Sequence, residues 1–262
     1  MLLTDPELRR RREQSGRGDG GFFIAEGELV IRQLLASPYR VRSLLLTPRR
    51  LASLEAALAG AGVEAPVYVA GQPVVDAISG FHLHRGALAA ADRPPPGDGP
   101  ALAGAADLVV VAEGVNDHEN LGALFRNAAA FGAGAVLLDP TSADPLYRRS
   151  VRVSMGQVLR VPFARLPGWP GALGGLRDLG FEVLALTPDP EADDLRTVAV
   201  RPRQALLVGA EGPGLSAAAL AAAGRRVRIA MAAGVDSLNV STAAAVALHH
   251  LARNPSAPPG VS

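Results

Sequence analysis

One stretch limits the fold more than any other: residues 228–250, RIAMAAGVDSLNVSTAAAVALHH, where the end of a strand turns through a polar loop into an alanine-rich helix. Residues 227–229 suit a short buried strand. Gly234, Asp236, Ser237 and Asn239 then form a loop too polar for a core and too compact for a linker, so the loop is expected to face a ligand. Ser241 or Thr242 is the expected N-cap of the following helix. It runs to Leu251 on strong helix formers, with His249 and His250 near the negative end of its dipole.

A second loop of similar build lies upstream. The apolar run 205–208 ends at Gly209-Ala-Glu211-Gly212-Pro213-Gly214, and a helix begins near Ser216. Strand, glycine loop and helix in that order hold a ligand at the carboxyl end of a strand. The spacing is not GxGxxG, Pro213 removes a backbone donor, and no Walker lysine follows, so the ligand is not a pyrophosphate. The absence of the dinucleotide fingerprint also argues against a nucleotide-dependent oxidoreductase. Further apolar runs at 108–112, 135–138 and 182–186 alternate with helical segments, and Thr187 follows the last of them at a strand end. Continuous apolar runs suit parallel strands buried on both faces, so a mostly parallel sheet covered by helices is expected.

The third informative piece is residues 116–139, NDHENLGALFRNAAAFGAGAVLLD, which sets Asn120, Gly122 and Arg126 at a helix start, with Asn120 a candidate N-cap. Together the three pieces resemble the SpoU (TrmH-type) branch of the SPOUT methyltransferases. The matching residues are Asn120-Leu-Gly-Ala-Leu-Phe-Arg126 through Phe131-Gly132, Leu207-Val-Gly-Ala-Glu211-Gly-Pro-Gly214-Leu-Ser216, and Ile229-Ala-Met231 with Ser237-Leu-Asn-Val-Ser241. The resemblance implies methyl transfer from S-adenosylmethionine to a ribose 2′-hydroxyl of RNA, and a C-terminal α/β-knot domain whose last strands and helix form a trefoil knot. It implies that Thr187, Gly209, Gly212, Ile229 and Leu238 line the cofactor pocket, with Glu211, Met231, Ser237 and Asn239 shaping it. It also proposes Arg126, with Asn120, Glu211, Ser237 and Asn239, as the catalytic set. A guanidinium stays charged, so Arg126 suits holding phosphate and ribose and stabilising developing negative charge better than it suits a free base.

The chain of 262 residues, 48% apolar and 19% charged, can bury a core. It contains no cysteine, hence no disulfide framework or thiolate metal site, and no apolar run long enough to span a bilayer. The amino end lacks a signal-peptide core, so a cytoplasmic protein is expected. A formal charge of +1 does not mark a nucleic-acid binder, and all 26 basic residues are arginine, which reads as compositional bias. Clusters therefore carry the electrostatic argument. Arg9 to Arg12 head an arginine-rich arm over 1–21, equally a phosphate contact or a solvated tail. Arg148, Arg149 and Arg152 fall within one or two helical turns, read as an RNA-backbone face rather than merely the wet side of a helix.

Residues 22–92 alternate strand-like and helical segments, which implies a small α/β domain of its own. The segments 22–27 and 81–91 resemble the ribosomal-protein-like substrate-binding domain of SpoU enzymes, and Arg85 is a candidate RNA contact there. His82 and His84 have no further ligand nearby and fit an exposed strand edge better than a metal site. Three consecutive prolines followed by glycines place an irregular linker over 93–103, ahead of a methyltransferase domain over 104–254 and a tail over 255–262. The expected partners are structured RNA, ribosomal before transfer RNA, and a second copy of the chain, with no membrane and no metal. A ribosome-assembly protein that binds RNA without catalysis is the competing reading. Retention of Asn120, Arg126, Glu211, Ser237 and Asn239 argues against it.

Overall fold

The structure is a computed structural model that describes residues 21–79 and 86–252. The arginine run at 9–12, His82, His84, Arg85 and the tail lie outside the described residues. Two compact units divide between Pro95 and Pro96.

The first unit opens with β1 (Phe22–Glu26), α1 (Glu28–Leu35), β2 (Val41–Leu46), α2 (Pro48–Gly60), β3 (Val67–Val69), α3 (Gln72–Ser79) and β4 (Ala87–Asp92). Its sheet runs β1-β4-β2-β3, with β4 antiparallel to both β1 and β2. The period of two expected of a half-covered strand is plain in β4, whose Ala87, Ala89 and Ala91 are buried while the residues between them are partly exposed. The period of 3.6 is equally plain in α1, which buries Val30, Ile31 and Leu34. Gly27 enters that helix at φ 94°, a conformation that L side chains rarely adopt.

The second half contains α4 (Gly99–Gly104), β5 (Leu108–Glu113), α5 (His118–Ala130), β6 (Ala135–Leu138), α6 (Arg148–Val153), β7 (Phe163–Arg165), α7 (Ala172–Asp178), β8 (Glu182–Leu186), β9 (Asp193–Asp194), β10 (Gln204–Gly209), α8 (Ala217–Ala222), β11 (Arg225–Arg228) and α9 (Val240–Leu251). Its seven strands are ordered β7-β6-β5-β10-β8-β11-β9, and every neighbouring pair is parallel. The expected α/β fold with a mostly parallel sheet is therefore present. All six residues of β10 are buried, as are Leu108 to Ala112 of β5, which accounts for their unbroken apolar runs. Val109, Val111, Ala205 and Leu207 pack on one face with Ala103, Leu173, Leu176 and Ala219 from α4, α7 and α8. On the other face α9 packs against α5 and β10.

At the sheet's edge Asp193 and Asp194 of β9 are in register with Val227 and Arg228. Two expectations need correction. The 93–103 segment is not irregular throughout, because Asp98 caps α4 by accepting the Ala101 N–H at 3.1 Å and Pro100 sits in the first turn, where its missing N–H costs nothing. The 104–254 span is also interrupted, since Pro145–Arg160 packs as part of the first unit. There α6 lies on β1, and Arg148 forms a 2.9 Å ion pair with the buried Glu26. Arg148 is thus held by a carboxylate, while Arg149 is exposed and Arg152 partly so.

Candidate functional site

An open cleft of about 230 Å³ lies at the carboxyl ends of β8, β10 and β11. Thr187, Gly209, Glu211, Gly212, Ile229, Met231, Ser237, Leu238 and Asn239 all line it, so the residues singled out as the cofactor pocket converge. Leu186, Val208, Val240 and Ala243 add apolar wall that the loop-based reading had not included. The cleft sits where strand ends and helix beginnings leave backbone groups unpaired, the usual ligand crevice of open parallel sheets.

Residues 209–216 close the cleft at one side. Gly209 ends β10, and a Cβ there would run into the backbone of Gly214 and Leu215, so only glycine lets the loop fold back on its own strand. The return is fixed by the Gly214 N–H, which donates to the Ala210 carbonyl at 3.0 Å. Ser216 then caps α8, its Oγ accepting the Ala219 N–H at 3.1 Å.

Side chains from three distant parts of the chain meet at the rim. The Asn120 Nδ2 donates to Glu211 Oε2 at 2.9 Å, and the Asn239 Nδ2 donates to Asn120 Oδ1 at 2.7 Å and more weakly to Glu211 Oε1 at 3.3 Å. Asn239 is also the N-cap of α9: its Oδ1 accepts from the Ser241 N–H at 3.0 Å, the Ser241 hydroxyl at 2.6 Å and the Thr242 N–H at 3.2 Å. The cap expected at Ser241 or Thr242 is therefore one turn of logic too late. Capping of α5 likewise falls to Asp117, which accepts the Glu119 and Asn120 N–H groups at 2.8 Å, and this releases the Asn120 amide for Glu211. Asn127 Nδ2 donates to the Ser241 carbonyl at 2.7 Å and ties α5 to α9 a second time.

Arg126 lies on α5 six residues beyond Asn120, roughly 9 Å along the axis at the helical rise. It is exposed, has no hydrogen-bond or ion-pair partner among the described residues, and does not line the cleft. The arginines of α6 belong to the other unit. Among the described residues no group of three or more histidines, cysteines or carboxylates stands close enough to hold a metal ion. No helix of the described residues is long and apolar enough to cross a membrane.

Sequence reasoning missed two carboxylates beside the site. Glu113 ends β5 and accepts from Trp169 Nε1 at 2.7 Å, Ser216 Oγ at 2.7 Å and Ser216 N–H at 2.8 Å. The available signal was a carboxylate between an apolar run and a glycine. Asp139 follows β6 and accepts from the Gly114 N–H at 3.0 Å, the Ser142 N–H at 2.8 Å and the Ser142 hydroxyl at 2.6 Å. Burial opposes its charge, but the bonds from Ser142, Thr141 and Gly114 outweigh that and hold the carboxyl below its ordinary range. Arg165 completes the clamp by donating to the carbonyls of Asp139 at 2.9 Å and Ser142 at 2.8 Å.

The sequence model of the SpoU rRNA Methylase family matches residues 107–249, more than half of the chain and all of the cleft. The chain belongs to that family. A protein of Mycobacterium tuberculosis, named as an uncharacterised tRNA/rRNA methyltransferase, is 52% identical over 234 residues that cover 88% of this chain and 81% of the relative. Among solved structures, an rRNA methyltransferase from Sinorhizobium meliloti with AdoMet bound is 25% identical at a TM-score of 0.74, covering 96% of this chain and 95% of that one. An RNA 2′-O ribose methyltransferase is 29% identical at a TM-score of 0.73, covering 96% and 98%. The resemblance drawn from the three motifs is thereby borne out, and the chain is an RNA methyltransferase of the SpoU type.

Proposed function

We propose that the protein transfers a methyl group from S-adenosylmethionine to a ribose 2′-hydroxyl of RNA. The observation that carries this reading is the Asn120–Glu211–Asn239 hydrogen-bonded set at the rim of a cleft lined by the loops after β8, β10 and β11. Support comes from the similar protein solved with AdoMet bound and from the similar one described as a 2′-O ribose enzyme.

The lining suits the cofactor chemically. It offers apolar walls from Leu186, Val208, Ile229, Leu238 and Val240, one carboxylate in Glu211, and no arginine, although the chain has 26 basic residues. Such a lining accepts an uncharged nucleoside that carries a cation and disfavours an oligophosphate. When bound, S-adenosylmethionine supplies an electrophilic methyl group on a sulfonium.

The remaining work falls to side chains. Asn120 and Asn239 hold the Glu211 carboxylate and so fix the loop that begins at Gly209. Ser237 and Leu238 add to the wall of the cleft. Arg126, exposed and without a partner among the described residues, holds a phosphate and ribose of the RNA and stabilises negative charge as it develops on the 2′-oxygen. Its constant charge makes it an electrostatic group rather than a base.

The same reading takes ribosomal RNA as substrate, supported by the separate first unit and by the family's description, with transfer RNA the alternative that the M. tuberculosis relative's name leaves open. It includes the trefoil knot, for which the strand order β5-β10-β8-β11 and the return of α9 onto α5 are the supporting features, and a homodimer, for which the exposed Val246 of α9 is the supporting feature. It also includes a cytoplasmic location. Calorimetry with S-adenosylmethionine tests the core of the proposal: saturable binding that Asn239→Ala weakens is expected, and no heat at millimolar ligand would defeat it.

A further inference from the structure

We infer that Glu113 is a positioning residue for the methyltransferase site: it locks the Glu211-bearing loop to β5, the strand beside β10. The inference rests on the reading of the cleft given above. Glu113 and Gly209 are register partners at the ends of adjacent parallel strands, so the carboxylate sits beside the point where the loop departs. The same carboxylate takes both the N–H and the hydroxyl of Ser216, where the loop ends. The near foot is thus fixed by backbone pairing with β5 and the far foot by the Glu113 side chain.

Nothing else among the described residues holds the loop's far foot in this way. Gly212 and Gly214 take φ of 89° and 69°, conformations open to glycine that add freedom to the unbound loop. Its middle is restrained by the Ala210–Gly214 bridge, by the close approach of Gly214 to Gly209 and by the bonds of Glu211 to the two asparagines. Trp169 supplies the third bond to Glu113, donating from its indole, and packs against the apolar cluster of this unit. The indole shares Oε1 with the Ser216 hydroxyl, while Oε2 takes the Ser216 N–H.

The geometry also says which substitution is informative. Glutamine keeps the size of Glu113 but has one acceptor oxygen where the carboxylate has two, so a donor is left facing either the Ser216 N–H or the Trp169 indole, and the charge that strengthens the remaining bonds is lost in both cases. A charge-assisted bond of this kind is worth a factor of roughly 10 to 100 in an equilibrium.

Two measurements on the full-length protein test the inference. Hydrogen exchange on ligand-free protein reads the loop alone: in Glu113→Gln the amides of residues 211–216 are expected to exchange at least tenfold faster, while those of β10 stay as in wild type. Unchanged exchange at 211–216 would overturn the positioning role whatever the cleft binds. Calorimetry with S-adenosylmethionine reads the consequence, with binding weakened roughly 10- to 100-fold in Glu113→Gln and within threefold of wild type in Trp169→Phe, which removes the indole donor but leaves both Ser216 bonds. Equal affinity of Glu113→Gln and wild type would refute the coupling of loop to site. Wild-type protein that fails to bind, with exchange altered as expected, would instead refute the reading of the cleft.

Discussion

Asn239 donates its amide to Asn120 at 2.7 Å across 119 positions of sequence, and with its own carbonyl oxygen caps the helix that packs against Asn120's helix. A single side chain thus organises the rim of the cleft and starts α9. These two duties make a distinct signature on mutation.

Asn239→Ala is expected to lower stability by about 1 kcal/mol through loss of the cap and to weaken S-adenosylmethionine binding as well. Asn239→Asp keeps a capping oxygen but cannot donate to Asn120 or Glu211, and places a second carboxylate beside Glu211. It should therefore retain the melting temperature better than Ala while still losing binding. Thermal denaturation and calorimetry on both variants separate the duties; equal loss of stability in both would show that the cap is not what Asn239 contributes.

Gly209→Ala tests close backbone approach. The added methyl meets the Gly214 and Leu215 backbone rather than a flexible side chain, so the loop has to move. Binding of S-adenosylmethionine should be abolished by a one-carbon change, with the fold of the sheet retained by circular dichroism. An alanine variant that binds normally would mean the loop folds back less tightly than described.

Most of the fold was legible because its strands are buried on both faces and read as plain apolar runs, as in β5, β6, β8 and β10. The loops that meet at the cleft were legible because glycine and small polar residues cluster where a backbone approaches a ligand. The caps were not. Asp117 and Asn239 each lie near other residues with capping side chains, and which one accepts depends on where the backbone turns, a matter settled by packing, whereas Ser216 stands alone and its helix begins where expected. The place of residues 145–160 in the first unit was hidden for a similar reason: its arginines suggested an RNA-backbone face, and nothing local in sequence announces that Arg148 meets Glu26 122 positions away.

That pairing leads to a prediction about stability. Glu26 is almost fully buried and Arg148 is a fifth exposed. Arg148→Ala leaves a buried carboxylate without this partner and should cost about 2–3 kcal/mol, somewhat below the full cost of breaking an enclosed pair. Replacing both residues, as Glu26→Gln with Arg148→Met, should recover most of the loss. Chemical denaturation of the single and double variants checks this, and an additive double variant would argue against the pair. For the same reason a truncation that removes residues 1–95 should yield poorly soluble protein, since Leu146, Val151, Val158 and Leu159 lose the unit that buries them.

Asp139 gives the chain a dependence on acid. Its carboxyl in the folded protein lies below its ordinary value, so its contribution to stability is fully present above the unfolded value near ~4 and is lost as pH falls through the folded one. In wild type the melting temperature should drop more steeply below about pH 4 than in Asp139→Asn, which lacks the titration and is less stable at neutral pH. Parallel slopes in the two proteins would remove Asp139 from the account.

The central claim is ribose 2′-O-methylation with Arg126 as the charge that stabilises it. The most direct measurement incubates the protein with methyl-labelled S-adenosylmethionine and with ribosomal or transfer RNA from cells lacking the gene, then digests the RNA with alkali. A methylated 2′-oxygen cannot attack the adjacent phosphate, so label is expected in alkali-resistant dinucleotides. Arg126→Ala should cut the rate about 100-fold or more with cofactor affinity almost unchanged. Label released in mononucleotides, or an Arg126→Ala variant that methylates at the wild-type rate, would contradict the account.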